Sequence, residues 1–373
     1  GPVPMVTHVH GAHVVQESDG NPEAWFLPAA KNIPASYMKT GMYYDTFKLT
    51  AKSGTSWTPG NAVFDYTNDQ RDGTLWYHDH AMGMTRTNVY AGPTGFFLIR
   101  GNPLDKLTTS KTSVPAVLPG KALLTQPTAQ EVSSGSVYEI PIALQDRSFN
   151  SDGSLYYPDS RANFDDYRGS YSPKSDIAPI WNPETFGDTI IANGNTWPTQ
   201  NVQPKRYRLR FLNGAQARTF ILKFSNNLSF TQIGAEQGFL KAQTVISQLL
   251  IPPSERADVI VDFAGIAPGT NIILNNIGPD EPYNGKVQEP SNPLTTGKVM
   301  QFKVIASDGK LDTSTPPAQL LLPTIQEAAT VNVTRKVSLN ELTSMNPNSM
   351  GIGPQSAMLG TVVTSEKGVP SGR

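Results

Sequence analysis

Four of the five histidines in this chain fall in two His-x-His pairs, His8-Val9-His10 and His78-Asp79-His80. Side chains along a β-strand repeat every two residues, so both imidazoles of a pair leave one strand face and can converge on one site. Neutral imidazole nitrogen suits copper, zinc, iron or nickel, so the pairs argue for a metal without choosing it. A strand with two satisfied polar residues would explain one pair equally well. Two pairs in a chain with a single further histidine, His13, argue for ligation, with His8, His10, His78 and His80 as the expected ligands.

Both pairs sit in strand-prone sequence. Pro4-Met5-Val6-Thr7-His8-Val9-His10 is an apolar, β-prone run that stops at Gly11, and Thr74-Leu75-Trp76-Tyr77 is bulky and aromatic up to His78. Asp79 should point to the strand face opposite its histidine neighbours, which gives it a supporting role. His13 is out of phase with His8 and His10, and a polar loop role is expected for it.

The composition fits an all-β, loop-rich protein. Glycine and proline number 31 each, and charged residues make up 16% of the 373. A net charge of −1 leaves no basic face for nucleic acid and no polybasic membrane signal. No apolar run is long enough to span a bilayer as a helix. Cysteine is absent, which excludes disulfides, thiolate metal sites and cysteine nucleophiles within these residues. Any targeting segment would lie upstream of Gly1.

Turn signals and short strand-like runs divide the chain. Residues 1–103 are expected to form a first domain that carries both histidine pairs. Residues 104–135 read as a connector, 136–306 as a second strand-rich domain, 307–330 as another connector, and 331–373 as one or two strands at most. Short strands at turn-punctuated spacing suggest Greek-key sandwiches or barrels. Arg206, Arg208 and Arg210 alternate with Tyr207, Leu209 and Phe211, the pattern of a solvated polar face over an apolar inner face.

Thr7-His8-Val9-His10-Gly11, then Ser18-Asp19-Gly20-Asn21-Pro22-Glu23-Ala24-Trp25-Phe26, then Thr74 to Gly92 around His78-Asp79-His80-Ala81-Met82 together resemble the multicopper oxidases. The nearest branch is that of the laccases, bilirubin oxidases and phenoxazinone synthase. The likeness continues through Gln145-Asp146-Arg147-Ser148-Phe149, Ile191-Ala192-Asn193-Gly194, Arg208 to Asn213 and Ser254 to Val259.

The resemblance implies tandem cupredoxin-like β-barrels, the first (residues 1–103) incomplete at its N-terminus and the third mostly outside these residues, and a trinuclear copper cluster shared between the first and third. By it, His8 would ligate a type 2 copper, His10 and His78 one type 3 copper, and His80 the other. Asp19 would deliver protons during reduction of dioxygen to water. The reducing substrate would be a phenol, aromatic amine, tetrapyrrole or metal ion, and an extracellular or periplasmic setting is implied. No third-domain His-x-His and no cysteine for a type 1 copper occurs here, so a remaining third-domain segment, on the same polypeptide or a companion chain, is an expected partner. Residues 1–373 alone are expected to be inactive as an oxidase. Two other readings remain open: a non-catalytic cupredoxin scaffold holding one or two metals, and a zinc hydrolase, for which no general-base carboxylate stands out.

Overall fold

The structure, a computed structural model, describes residues 3–28, 33–52, 54–110, 114–120, 126–158, 184–325, 330–343, 355–364 and 370–372. The chain divides into two compact units. One comprises residues 1–155 and 186–324, the other 156–185 and 325–373.

In the first unit, a small antiparallel sheet carries both histidine pairs: β1 (Thr7–His10), β2 (Gly73–Asp79) and β3 (Gly95–Ile99), with β2 in the middle. Period-two alternation sorts the side chains onto two faces. Val9, Leu75 and Ile99 form an apolar cluster with Phe97 and Tyr66 on one face. On the other, Trp76 packs with Val89, Phe96, Ala143 and Leu212, so this sheet is seated on residues of the second strand-rich region. The three-residue 3-10 turns Gln16–Ser18 and Pro22–Ala24 lie between β1 and the helix Tyr44–Thr50, whose Tyr44 is buried against Phe26 and Trp57.

The second region is a sandwich of two mixed sheets. One runs through Gly238–Ile246, Phe230–Ala235, Arg256–Asp262, Arg206–Asn213, Glu139–Phe149 and Thr189–Ala192. The other runs through Leu249–Ile251, Phe220–Phe224, Asn271–Asn276, Lys298–Val304 and Thr199–Val202. Between them lies a core of Leu209, Phe211, Phe224, Phe230, Phe263, Phe302 and their aliphatic neighbours, all buried. Inner-face Tyr207, Leu209 and Phe211 belong to this core, as the alternation requires.

The other face of Arg206–Asn213 differs from expectation. Arg208 and Arg210 are buried rather than solvated, at 6% and 3% exposure. That sheet face is covered by the first region, and the two guanidiniums are compensated by carboxylates. Arg208 Nη2 lies 2.5 Å from Asp258, and Arg210 Nε donates to Glu139 at 2.6 Å, with Arg100 also on Glu139 at 2.9 Å. The two stretches read as connectors also pair with each other, Thr108–Thr109 against Leu320–Leu321.

The second unit contains antiparallel strands Val337–Thr343, Gln355–Thr364 and Pro370–Gly372 in that order. This is one strand more than the sequence suggested. Among the described residues, no helix is long and apolar enough to cross a membrane.

Candidate metal centre

β1 and β2 pair so that His8 lies opposite His78 and His10 opposite Trp76. This register places His8, His10, Trp76 and His78 on one sheet face. His80 follows one residue beyond β2, and its amide continues the ladder by donating to Val6 O at 2.8 Å. The four imidazoles therefore meet: His8 stacks on His80 with centroids 4.5 Å apart, and lies 5.6 Å from His10 and 5.3 Å from His78. One nitrogen each from His8, His10 and His78 falls within a 4.8 Å cluster.

Hydrogen bonds orient three of the rings. His8 Nδ1 lies 2.5 Å from the Asp19 carbonyl, His78 Nδ1 2.7 Å from the Asp79 carbonyl, and His80 Nδ1 2.8 Å from the Gly20 carbonyl. A carbonyl can only accept, so each Nδ1 carries the proton and donates, leaving each Nε2 lone pair turned inward. His10 presents Nδ1 instead, 3.4 Å from His78 Nε2. Two nitrogens bound at about 2.0 Å to one tetrahedral ion sit about 3.3 Å apart, so these two can share an ion without rearrangement.

The electrostatics favour neutral rings. Burial, then the nearby Arg256 charge and the other imidazoles, pull the His10 pKa down to about 4. Burial also brings His78 to about 4, against the opposing effect of its bond to the Asp79 carbonyl. His80 is lowered by burial as well. Neutral imidazole is the form that ligates metals, so at neutral pH no proton need leave these rings first. Apart from Asp19, no carboxylate among the described residues lies against these rings. The donor set is thus all nitrogen and suits copper or zinc better than calcium or magnesium.

Asp19 reaches the cluster in two ways. It ends the Gln16–Ser18 turn, its carbonyl holds His8, and its half-exposed carboxylate lies 3.3 Å from His8 Nδ1. The neighbouring Gly20 could carry no side chain, because a Cβ there would meet Thr7 O at 2.3 Å. Its φ of +77° also favours glycine.

Asp79 turns away from the cluster. It is buried and accepts from Val6 N–H at 2.8 Å, Ala81 N–H at 3.1 Å and Asn88 Nδ2 at 2.9 Å. Asn88 belongs to the helix Thr85–Ala91, so Asp79 ties the end of β2 both to that helix and to the chain entering β1. His13 stands apart on the surface with Asp69, 2.8 Å away.

Sequence reasoning overlooked Trp76, whose ring lies 4.2 Å from that of His78 and 5.6 Å from that of His10 and floors the cluster. Its position two residues before His78 carried that signal. The backbone acceptors of Asp19, Gly20 and Asp79 left no such trace, since any residue type supplies a carbonyl.

The comparisons with known proteins agree with this fold. The multicopper oxidase family profile matches residues 153–310. The chain is 32% identical over 344 residues to Multicopper oxidase LPR1 of Arabidopsis thaliana, covering 92% of this chain and 49% of the relative. It is also 32% identical over 332 residues to a laccase of Bacillus subtilis (strain 168), covering 89% and 53%. The McoA multicopper oxidase from the hyperthermophile Aquifex aeolicus superposes with a TM-score of 0.55 at 23% identity, covering 92% of this chain and 59% of that one. The all-β architecture is thus cupredoxin-like, and the chain is related to the multicopper oxidases over most of its length. It spans about half the length of the curated relatives it matches.

Proposed function

We propose that this chain supplies one half of the copper cluster of a laccase-like oxidase, with His8, His10, His78 and His80 as its ligands. The observation that supports this is the arrangement of the rings: carbonyls fix His8, His78 and His80 at Nδ1, and one nitrogen each from His8, His10 and His78 falls within a 4.8 Å cluster. In this reading His8 holds a type 2 copper through Nε2. His10 through Nδ1 and His78 through Nε2 share one type 3 copper, and His80 through Nε2 holds the other.

Copper bound there would supply the single-electron chemistry by which dioxygen takes four electrons and four protons to give two waters. Burial keeps His10, His78 and His80 neutral, and the carbonyls of Asp19, Gly20 and Asp79 aim the rings of His8, His80 and His78. Asp19, half-exposed and 3.3 Å from His8, carries protons from solvent to the cluster edge. Trp76 and the apolar residues beneath it close the floor to water.

The electrons come one at a time from a small reducing substrate, such as a phenol, an aromatic amine, a tetrapyrrole or a metal ion. The chain has no cysteine, so a thiolate-held electron-entry copper and the remaining imidazoles would come from outside residues 1–373. The test is metal analysis of the whole protein, with and without the His80→Ala change. Copper in the wild type and a substoichiometric copper content in the variant is the expected result. Zinc bound in place of copper would sink the assignment.

A further inference from the structure

The strand that carries His78 is gripped at its other end by two arginines of the second region. Thr74 accepts from Arg256 Nε at its carbonyl, at 2.9 Å, and from Arg210 Nη1 at its hydroxyl, at 2.6 Å. The two arginines lie on neighbouring antiparallel strands and share a face, since Leu212 pairs with Arg256 and Arg210 with Asp258.

Arg256 does more than hold Thr74. It is 2% exposed, and its Nη1 also donates to Glu236 Oε2 at 2.5 Å and to Ser254 O at 2.6 Å. The second oxygen of Glu236 accepts from the Arg256 backbone N–H at 2.8 Å, so one carboxylate is held by both the side chain and the main chain of one residue. Glu236 sits in the turn between Phe230–Ala235 and Gly238–Ile246, with a φ of +20° that few non-glycine residues adopt.

The next residue of that turn, Gln237, touches both histidine-bearing strands. A Cβ on Gly73 would meet Gln237 O at 2.5 Å, and one on Gly11 would meet the Gln237 side-chain amide at 2.7 Å. Gly73 opens β2 and Gly11 directly follows His10, so a single turn abuts the same end of both strands. A side chain at either glycine would drive the turn away.

We propose that Arg256 is a positioning residue for the histidine cluster: by binding Thr74 and Glu236 together, it seats the 235–238 turn on Gly11 and Gly73 and fixes where β1 and β2 present His10 and His78. A guanidinium can serve three acceptors in one plane, whereas a lysine ammonium is a point donor on a flexible stem. Arg256→Lys therefore keeps the charge and loses the geometry. The affinity part of the inference rests on the histidines being metal ligands, and the geometric part does not.

The experiment compares the full chain with Arg256→Lys and Glu236→Gln, and with Arg206→Lys as a control for a lost arginine contact elsewhere on the sheet. Arg206 Nε donates to Ser314 Oγ at 2.9 Å. Two properties are read: imidazole proton and nitrogen resonances of the metal-free protein, and the affinity for Cu(II) added alone. Arg256→Lys and Glu236→Gln are expected to shift the His10 and His78 resonances and to weaken Cu(II) binding about tenfold to a hundredfold. Arg206→Lys should lower the melting temperature and leave both readings unchanged.

Unaltered resonances and affinity in folded Arg256→Lys would overturn the proposal, as would equal losses in Arg206→Lys. If Arg256→Lys does not fold, Glu236→Gln decides, because its side chain is 46% exposed and the amide keeps one oxygen to accept from Arg256. Should the wild type bind no copper, the ligand reading fails, while the resonance comparison still decides the positioning role.

Discussion

Replacing Asp79 by alanine should destabilise the metal-free chain by about 4 kcal/mol, although Asp79 touches no metal-facing atom. The number follows from what it leaves behind. Asp79 is 5% exposed and accepts from two backbone amides, Val6 and Ala81, and from the Asn88 side chain. Asn88 keeps a second acceptor in the Pro4 carbonyl at 3.0 Å, so its loss is partial. The two backbone amides lose their acceptor outright, and each stranded buried donor costs about 1–3 kcal/mol. The small cavity left by the carboxylate adds to this. Against a net stability of about 5–15 kcal/mol, such a loss removes from about a quarter to most of it. Asp79→Asn is the gentler companion: one oxygen is kept, the other becomes a donor facing donors, and about 2 kcal/mol is expected. Urea unfolding of the metal-free protein, followed by tryptophan fluorescence, measures both. An alanine variant within 1 kcal/mol of wild type would show that Asp79 does not anchor the end of β2.

His80→Ala should lower stability by about 1–3 kcal/mol, since it frees the buried Gly20 carbonyl and removes the stacking on His8, and weaken Cu(II) binding at least tenfold; thermal melting and isothermal titration check the two. If the proposed function holds, Asp19→Asn in the whole protein should slow oxidase turnover about a hundredfold or more while the copper content holds, because the backbone carbonyl still holds His8 but the side-chain amide cannot carry a proton; unchanged rates across the pH range would return Asp19 to a turn residue. Acidification should destabilise the metal-free chain. His10 and His78 titrate at about 4 when folded against 6.5 when unfolded, so the unfolded chain binds more protons between those values. The stability these rings contribute is complete above pH 6.5 and is lost as pH falls toward 4, by a few kcal/mol in all. Equal urea midpoints at pH 7 and pH 5 would contradict it.

The part of the site that follows a side-chain period was legible in the sequence. His8, His10 and His78 share a face because strands repeat every two residues, and the same count carried His80 one step past the strand end. What orients the rings was not legible, because carbonyls at Asp19, Gly20 and Asp79 belong to the backbone and bear no mark of residue type. The strand Arg206–Asn213 shows a different limit. Alternation separates two faces of a strand, but it does not say which face meets water. Arg208 and Arg210 lie on the face that the first region covers, and the carboxylates that make their burial tolerable, Asp258 and Glu139, lie 50 and 71 residues away in sequence.

That buried network bears on why the histidine strands sit where they do. Replacing paired charges by apolar groups of similar volume is often neutral or stabilising, so net stability alone gives little reason for arginines at this junction. Direction is what they add. The apolar contact of Trp76 with Leu212 would tolerate sliding of the small sheet over the larger one, because hydrophobic burial depends on area and scarcely on angle. Hydrogen bonds from Arg210 and Arg256 to the two oxygens of Thr74 do not tolerate it, since a shift of one residue along β2 would bring Gly73 or Leu75, neither with a hydroxyl, under the guanidiniums and take the side-chain acceptor from Arg210. Such a shift would also turn His78 to the opposite face. The charged junction and the histidine cluster therefore select the same register of β2, and Trp76, between Thr74 and His78, is the residue through which they touch.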